Sequence, residues 1–359
     1  MVMPPTPTRD ELLPDEVVAA LAAHADAADR YSAWPAASWE LVRSAGVLEW
    51  SVPTTYGGRD LPPAELLHGY ERLASGCLTT AFILSQREAA VRRIRDSSRD
   101  DLCRELLRPL ACGGRFATVG LSQLTTSRQH GGPALRATAT GGGFVLDGVM
   151  PWVTGADHAD HVITGAVLDD GKQVLLVLPT VTAGVSVNPP MDLMALAGSR
   201  TAEVRCERVT VDRHWLLAGP AEKVMVSGRG GTGGLETSCL ALGLAGAAVD
   251  YLHGEAANRP ELKPLACRLE SARSHVRDEM HRLAGGGGTP EAALALRARA
   301  NALVLRATQA ALTASKGAGF VHPHPAQRWV RQALFFLVWS CPRPAAEATL
   351  GYLLGECDS

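Results

Sequence analysis

The sequence predicts an α+β fold in three blocks: helices, a β block, then helices again. Three observations carry the prediction. From about Arg9 to Arg108 the apolar residues recur at helical spacing. From about Gly113 to Pro220 short β-branched runs alternate with glycine, proline and Asp-Gly turns. Beyond the glycine-rich "SGRGGTGG" the chain turns helical again and alanine-rich. The blocks are therefore expected at 1–112, 113–220 and 221–359, with the last one a helical bundle.

Each element has its own signal. "PPAELLHGYERLASGC" places Leu66, Tyr70, Leu73 and Cys77 on one helix face, with prolines ahead of the first turn. "SVPTTYGG" (Ser51–Gly58) interrupts this half with turn residues. In the β block, "AEVRCERV" alternates cleanly, the pattern of a half-buried antiparallel strand. In the last block, helices are expected over Leu235 to about Ala257 and Glu261–Leu283, followed by a flexible "AGGGG". Thr289 then caps a long helix with Pro290 at its first position. A further helix covers about Pro325–Val338, and "SCPRP" separates it from a short final one.

Composition narrows the function classes. A chain of 359 residues exceeds one ~150-residue core. A net charge of −2 gives no electrostatic footprint for nucleic acid or an anionic membrane. The apolar run Cys239–Val249 is too short to span a bilayer, and "MVMPPTPTRDELLPDE" lacks a signal-peptide pattern, so a cytoplasmic location is expected. Eight cysteines without regular spacing read as reduced thiols.

Standard catalytic motifs are absent. Gly228–Gly233 matches a dinucleotide-binding glycine pattern, yet no second strand follows it, so a linker is the better reading. "DHADH" (Asp157–His161) offers metal ligands without a third histidine and reads as a solvated loop; no metal is expected.

Several stretches, in order and spacing, resemble the acyl-CoA dehydrogenase superfamily. "WELVRSAGVLEWSVPTTYGG" is similar to that family's N-terminal helix and its tyrosine-glycine turn. "GGFVLDGVMPWVTGADHADHVITGA" resembles its Trp-Ile-Thr stretch, "ALAGSRTAEVRCERVTVDRHWLLAG" its strand pair, and "ASKGAGFVHPHPAQRWVRQA" its glycine turn and Arg-Asp-Ala block. The resemblance implies an N-terminal α domain, a middle β-barrel or sandwich domain and a C-terminal four-helix bundle, assembled as a dimer or tetramer.

It also implies FAD. Trp152 and Thr154 take the positions that wrap the flavin edge, where the ring needs an apolar wall and a hydroxyl near N5 or the pyrimidine oxygens. On local sequence alone, the same Pro-Trp pair reads as a β-turn with a core tryptophan. Leu121, Ser122, Thr126 and Ser127 lie on the family's phosphate- and ring-contacting loop. Gly317 and Gly319 lie on the glycine turn by which a neighbouring subunit reaches the FAD. Arg259 is what remains of the segment that grips the pyrophosphate.

The departures bear on activity. The family's catalytic glutamate falls on Ser340, and a serine cannot take an α-proton unaided. Glu236 lies about one turn from the place where some members carry the base; the alternative is a first-turn acid favouring the helix dipole. The apolar segment Thr79–Val91 reads as core or as the wall of an acyl pocket.

Three functions follow. The first is a flavoprotein oxidising an acyl-CoA-type CH–CH bond, with hydride passing to flavin N5 and an acyl thioester or other small hydrophobic molecule as substrate. The second is a reduced-flavin-dependent monooxygenase or oxidase with a reductase partner. The third is a degenerate structural or accessory protein.

Overall fold

A computed structural model describes residues 12–125, 132–225, 234–287, 289–339 and 343–353. Thr126, Ser127, Ser340 and the Gly228–Gly233 pattern lie outside these residues.

The first block holds α1 (Asp15–Arg30), α2 (Ala36–Ser44), α3 (Pro63–Gly76), α4 (Leu78–Arg95) and α5 (Asp100–Ala111). On α3 the expected stripe needs one correction. Leu67, Tyr70, Leu73 and Cys77 are buried, whereas Leu66 is only half-buried at the edge of the core. The reason is that α3 is covered on two sides. Trp50 and Leu12 crowd Gly69, and the backbone of Glu71 lies 2.3 Å from where a Cβ on Gly243 would sit. The stripe thereby widens beyond a single row.

The middle block forms one sheet of eight strands: β1 (Ala117–Gly120), β2 (Leu135–Ala139), β3 (Gly143–Val153), β4 (His161–Leu168), β5 (Gln173–Pro179), β6 (Val185–Val187), β7 (Ala202–Asp212) and β8 (Leu216–Ala221). Its order is β6-β7-β3-β2-β4-β5-β8, with β1 parallel to β4. One helical turn, α6 (Ser122–Thr125), follows β1. β5 is buried on both faces. Val174, Leu176 and Leu178 join Leu135, Phe144 and Val162, while Leu175 and Val177 pack on α4 and α5 residues. That is why it reads as a continuous apolar run.

β7 alternates as the sequence predicts, but its phase flips. Ala202, Val204 and Cys206 are buried, then Val209 and Val211. Arg208 at φ 50° marks the change, opposite a register shift between Leu146 and Gly148 on β3. This irregularity keeps both halves of the strand facing the core.

The last block comprises α7 (Leu235–Ala256), α8 (Lys263–Arg282), α9 (Pro290–Ser315), α10 (Pro325–Phe335) and α11 (Arg343–Leu353). Thr289 caps α9, its Oγ1 accepting from Ala292 N at 3.2 Å. The glycine stretch forms a π-type turn over Leu283–Gly287, with Gly286 at φ 97°. α10 ends three residues before the expected Val338, and turns carry the chain on to Trp339. α7 corrects another expectation. By length and composition it could cross a membrane, but 72% of that window is buried inside the protein, which makes it a core helix.

Candidate functional site

The segment after β3 meets a turn that precedes β7. Leu196 and Arg200 both take left-handed backbone, at φ 63° and 51°, around a 3-10 turn over Ala197–Ser199. Three anchors hold it. Leu196 N donates to the buried Asp29 Oδ1 of α1 at 2.9 Å, and Gly155 N donates to Ser199 O at 2.8 Å. Arg200 binds the Asp157 carboxylate and Ser32 O. Gly198 is obligatory here, because a Cβ would lie 2.5 Å from Ala28 O.

The turn brings three hydroxyls into a row. Ser199 Oγ lies 2.9 Å from Thr201 Oγ1, which lies 3.3 Å from Thr154 Oγ1. All three residues are buried. Three hydroxyls carry three protons, and the row contains two contacts. Whichever way the row is oriented, one buried O–H proton has no acceptor among the described residues. The longer contact is at Thr154, which is thus the loosely held end. Two residues away on β3, Trp152 is 49% exposed, a large indole left open at the surface. The structure thus overturns the reading of this tryptophan as core filling.

The loop after β1 is pinned differently. Leu121 is buried in the cluster with Val119 and Ile163, so only its main chain is available to a ligand. Gln123 Nε2 donates to Gly120 O, Thr164 Oγ1 and Gly165 O at 2.8–3.1 Å, locking the turn onto β4. Ser122 Oγ is buried beside it.

A second group forms where α9 ends. Arg259 Nη1 donates to Ala314 O at 2.6 Å and pairs with Glu255 and Glu261, each at 3.4 Å. Ser315 Oγ donates to Tyr251 Oη at 2.9 Å. In the following turn Gly317 is open, whereas Gly319 packs against Ser315. The fold therefore gathers Arg259, Gly317 and Gly319 at one end of the bundle. The Arg259 charge is already balanced within the chain.

Glu236 belongs to neither group. In the first turn of α7 it is bound by Arg92 of α4, which also lies 3.6 Å from Glu88. Burial works against the Arg92 charge, but Glu236 and Glu88 hold that guanidinium above its ordinary range. Arg93 beside it, buried and repelled by Arg92, is pushed down to about 10. Arg92 stands ten residues after Phe82, about 15 Å along the α4 axis. Phe82 is the residue that packs on Phe335 and Trp339, at 4.9 and 5.1 Å. Thr79, Ala81, Ile83 and Leu84, in the first half of the Thr79–Val91 segment, are all buried.

The "DHADH" segment faces solvent at Asp157 and His158, as expected, and is also tied down. Asp157 binds Arg200, His158 stacks on Trp34 at 4.4 Å, and Asp160 accepts from Phe116 N at 2.8 Å. Among the described residues no group of His, Cys, Asp and Glu is placed to hold a metal ion. A shallow cavity of about 270 Å³ lies between Asp29, Arg30, Leu193, Met194, His322 and Arg331. It falls below the usual ~300–1,000 Å³ of ligand pockets. Sequence reasoning missed Ser199 and Thr201; the Ser-x-Thr spacing in "GSRT" is the only local signal for them.

Residues 12–114 match the family model for the acyl-CoA dehydrogenase N-terminal domain. The chain is 26% identical to the probable acyl-CoA dehydrogenase YngJ of Bacillus subtilis over 352 residues, 90% of each chain. It is 25% identical to the human mitochondrial short-chain specific acyl-CoA dehydrogenase over 326 residues, covering 85% of this chain and 79% of that one. The butyryl-CoA dehydrogenase structure from Megasphaera elsdenii superposes with a TM-score of 0.83 over 99% of this chain and 100% of that one, at 19% identity. From the helices at its start to the bundle at its end, the chain is similar to members of the acyl-CoA dehydrogenase superfamily, and its N-terminal block matches that family's N-terminal domain.

Proposed function

We propose that the protein is an FAD-dependent oxidoreductase whose flavin edge is received by Trp152 and Thr154. The observation that carries this reading is the hydroxyl row: a buried O–H proton without an acceptor stands two residues from an open indole. A ring acceptor such as N5 completes the row, and the indole supplies an apolar wall, so these residues fit the cofactor. FAD, when bound, supplies hydride acceptance. The chain's own part is to orient the ring, exclude water and leave Thr154 as a directed hydroxyl. Main-chain groups at Leu121 and Ser122 extend the same wall, and Gly317 of a second copy, open as it is here, allows close backbone approach.

The substrate class we favour is an acyl thioester oxidised at a CH–CH bond, as the names of relatives aligned over most of the chain suggest. One observation favours a second reading, in which reduced flavin and oxygen act on a small molecule. Glu236, the nearest surrogate for the family's base, is occupied by Arg92.

The absorption spectrum of the purified protein, with flavin extraction, tests the reading. A yellow protein releasing FAD is expected; a colourless protein that takes up no FAD on titration would overturn it. Bleaching by an acyl-CoA series without oxygen separates the two chemistries. A requirement for a reductase and reduced flavin instead favours the second.

A further inference from the structure

We infer that Thr201 and Ser199 are positioning residues that direct the Thr154 proton outward, so that the hydroxyl row sets the balance between the oxidised and reduced forms of a bound flavin. The inference rests on the proposed function. Its physical content is the count of protons and the unequal ends of the row.

At the inner end, Ser199 is 0% exposed and its Oγ has Thr201 as its one hydrogen-bond partner among the described residues. If the row runs outward, Ser199 donates to Thr201, Thr201 donates to Thr154, and the free proton is the one on Thr154. If it runs inward, the free proton sits on Ser199, sealed inside the protein with no acceptor. A buried unmade hydrogen bond costs about 1–3 kcal/mol. The outward direction moves that cost to Thr154, two residues from the open indole of Trp152. A hydroxyl that accepts from a neighbour also donates more strongly.

The consequence depends on redox state. The N5 atom of an oxidised flavin accepts a hydrogen bond; in the reduced form it carries a proton and donates. An outward row is therefore matched to the oxidised form. The reduced form requires Thr154 to accept, and whether the row stays outward or reverses, one buried hydroxyl proton is left without an acceptor.

The test uses the full-length protein, wild type beside Thr201→Val, Thr201→Ser and Ser199→Ala, each titrated with oxidised and with reduced FAD. Thermal melting without FAD checks that each variant folds. Thr201→Val keeps the shape and removes the hydroxyl. Its affinity for oxidised FAD is expected to fall about fivefold, the value of one ~1 kcal/mol hydrogen bond, with reduced FAD changed less than about twofold. The bound potential then moves positive. Thr201→Ser restores the wild-type ratio, and Ser199→Ala shifts it in the same direction by less. Loosened packing alone would weaken both forms alike. An unchanged ratio or a negative shift in Thr201→Val, with wild type binding FAD, overturns the role of the row alone. A wild type that binds no FAD overturns the proposed function and this inference together.

Discussion

The Glu236 carboxylate and the Arg92 guanidinium join the start of α7 to the end of α4, across 144 residues of sequence. Both side chains are largely sheltered, and Arg92 also faces Glu88, whose side chain is 6% exposed. Removing the Glu236 charge leaves Arg92 with Glu88 and Arg93 with Asp96 as the remaining compensating carboxylates. Glu236→Gln is expected to cost about 1–2 kcal/mol in urea denaturation, between the values for exposed and fully buried pairs. The rate of flavin reduction by an acyl thioester should stay within about tenfold of wild type. A loss of about 10²–10⁴, the usual cost of a missing general base, would show that Glu236 is the base after all.

Arg93 offers the converse experiment. It is a half-buried guanidinium beside a like charge, with Ala89 O as its hydrogen-bond partner among the described residues. Arg93→Met keeps most of the stem and removes the charge. A stabilisation of about 1 kcal/mol is expected by denaturant midpoint. A loss of stability would mean that the guanidinium contributes more through Glu236 than burial takes away.

The approach of α1 to the 3-10 turn at Ala197–Ser199 is closed by Gly198. A methyl group there meets Ala28 O at 2.5 Å and Ala33 O at 3.0 Å, both backbone atoms that cannot swing aside. Gly198→Ala is therefore expected to cost about 2–3 kcal/mol and to lower FAD uptake by displacing Ser199 and Thr201. Unfolding and flavin titration report the two effects separately. Unchanged values in both would show that the turn moves freely.

How much of this was legible in the sequence depends on the range of the interaction. The Thr289 cap and Pro290 gave the start of α9 because a cap acts within one turn. The alternation of β7 was readable until Arg208, where a left-handed residue shifts the faces and no period signals it. Trp152 and Thr154 were singled out by resemblance, yet Thr201, the partner of Thr154, lies 47 residues on and comes into place only through the turn at Leu196–Arg200. Asp29, which fixes that turn, also accepts from Gln332 across 303 residues. Such contacts are products of packing, and no local pattern announces them. The same limit explains Glu236. Its place in a first turn was visible, but Arg92 was not.

Alkaline stability has a specific source in β7. Cys206 is 1% exposed, and burial, with Asp147 nearby, pushes its thiol up to about 12. An unfolded cysteine ionises near 8.5. Below that pH both states hold the proton and the contribution is complete. Above it the unfolded chain releases the proton first, so stability falls as pH rises from about 8.5 through about 12. The loss is on the order of 4 kcal/mol across that window. Tyr70 and Cys239, raised by burial as well, add to it. Cys206→Ala should therefore be less stable than wild type at pH 7 yet lose less between pH 9 and 11. Parallel curves of denaturation midpoint against pH for the two proteins would contradict the assignment.

The end of α10 is held by a buried arginine of the neighbouring helix. Arg297, 2% exposed on α9, donates through Nη2 to Trp339 O at 2.8 Å and through Nε to Asn301 Oδ1 at 3.1 Å. Asn301 Nδ2 donates in turn to Phe336 O at 3.1 Å. The carbonyls that a helix leaves unpaired at its C-terminus are thus captured from the neighbouring helix. The capture also fixes Trp339, which stacks on Phe335 at 5.2 Å and 12°, immediately before position 340. Arg297→Met fills the space but takes the donor from Trp339 O and Asn301 Oδ1, at an expected cost of about 2–4 kcal/mol. Because the loss is local, the amides of Leu337, Val338 and Trp339, bonded to Leu334 O and Phe335 O, should exchange with solvent at least tenfold faster. The amides of α8, which do not depend on the captured carbonyls, should accelerate only by the global loss. Equal acceleration at both places would show that Arg297 supports the whole bundle rather than this end of α10.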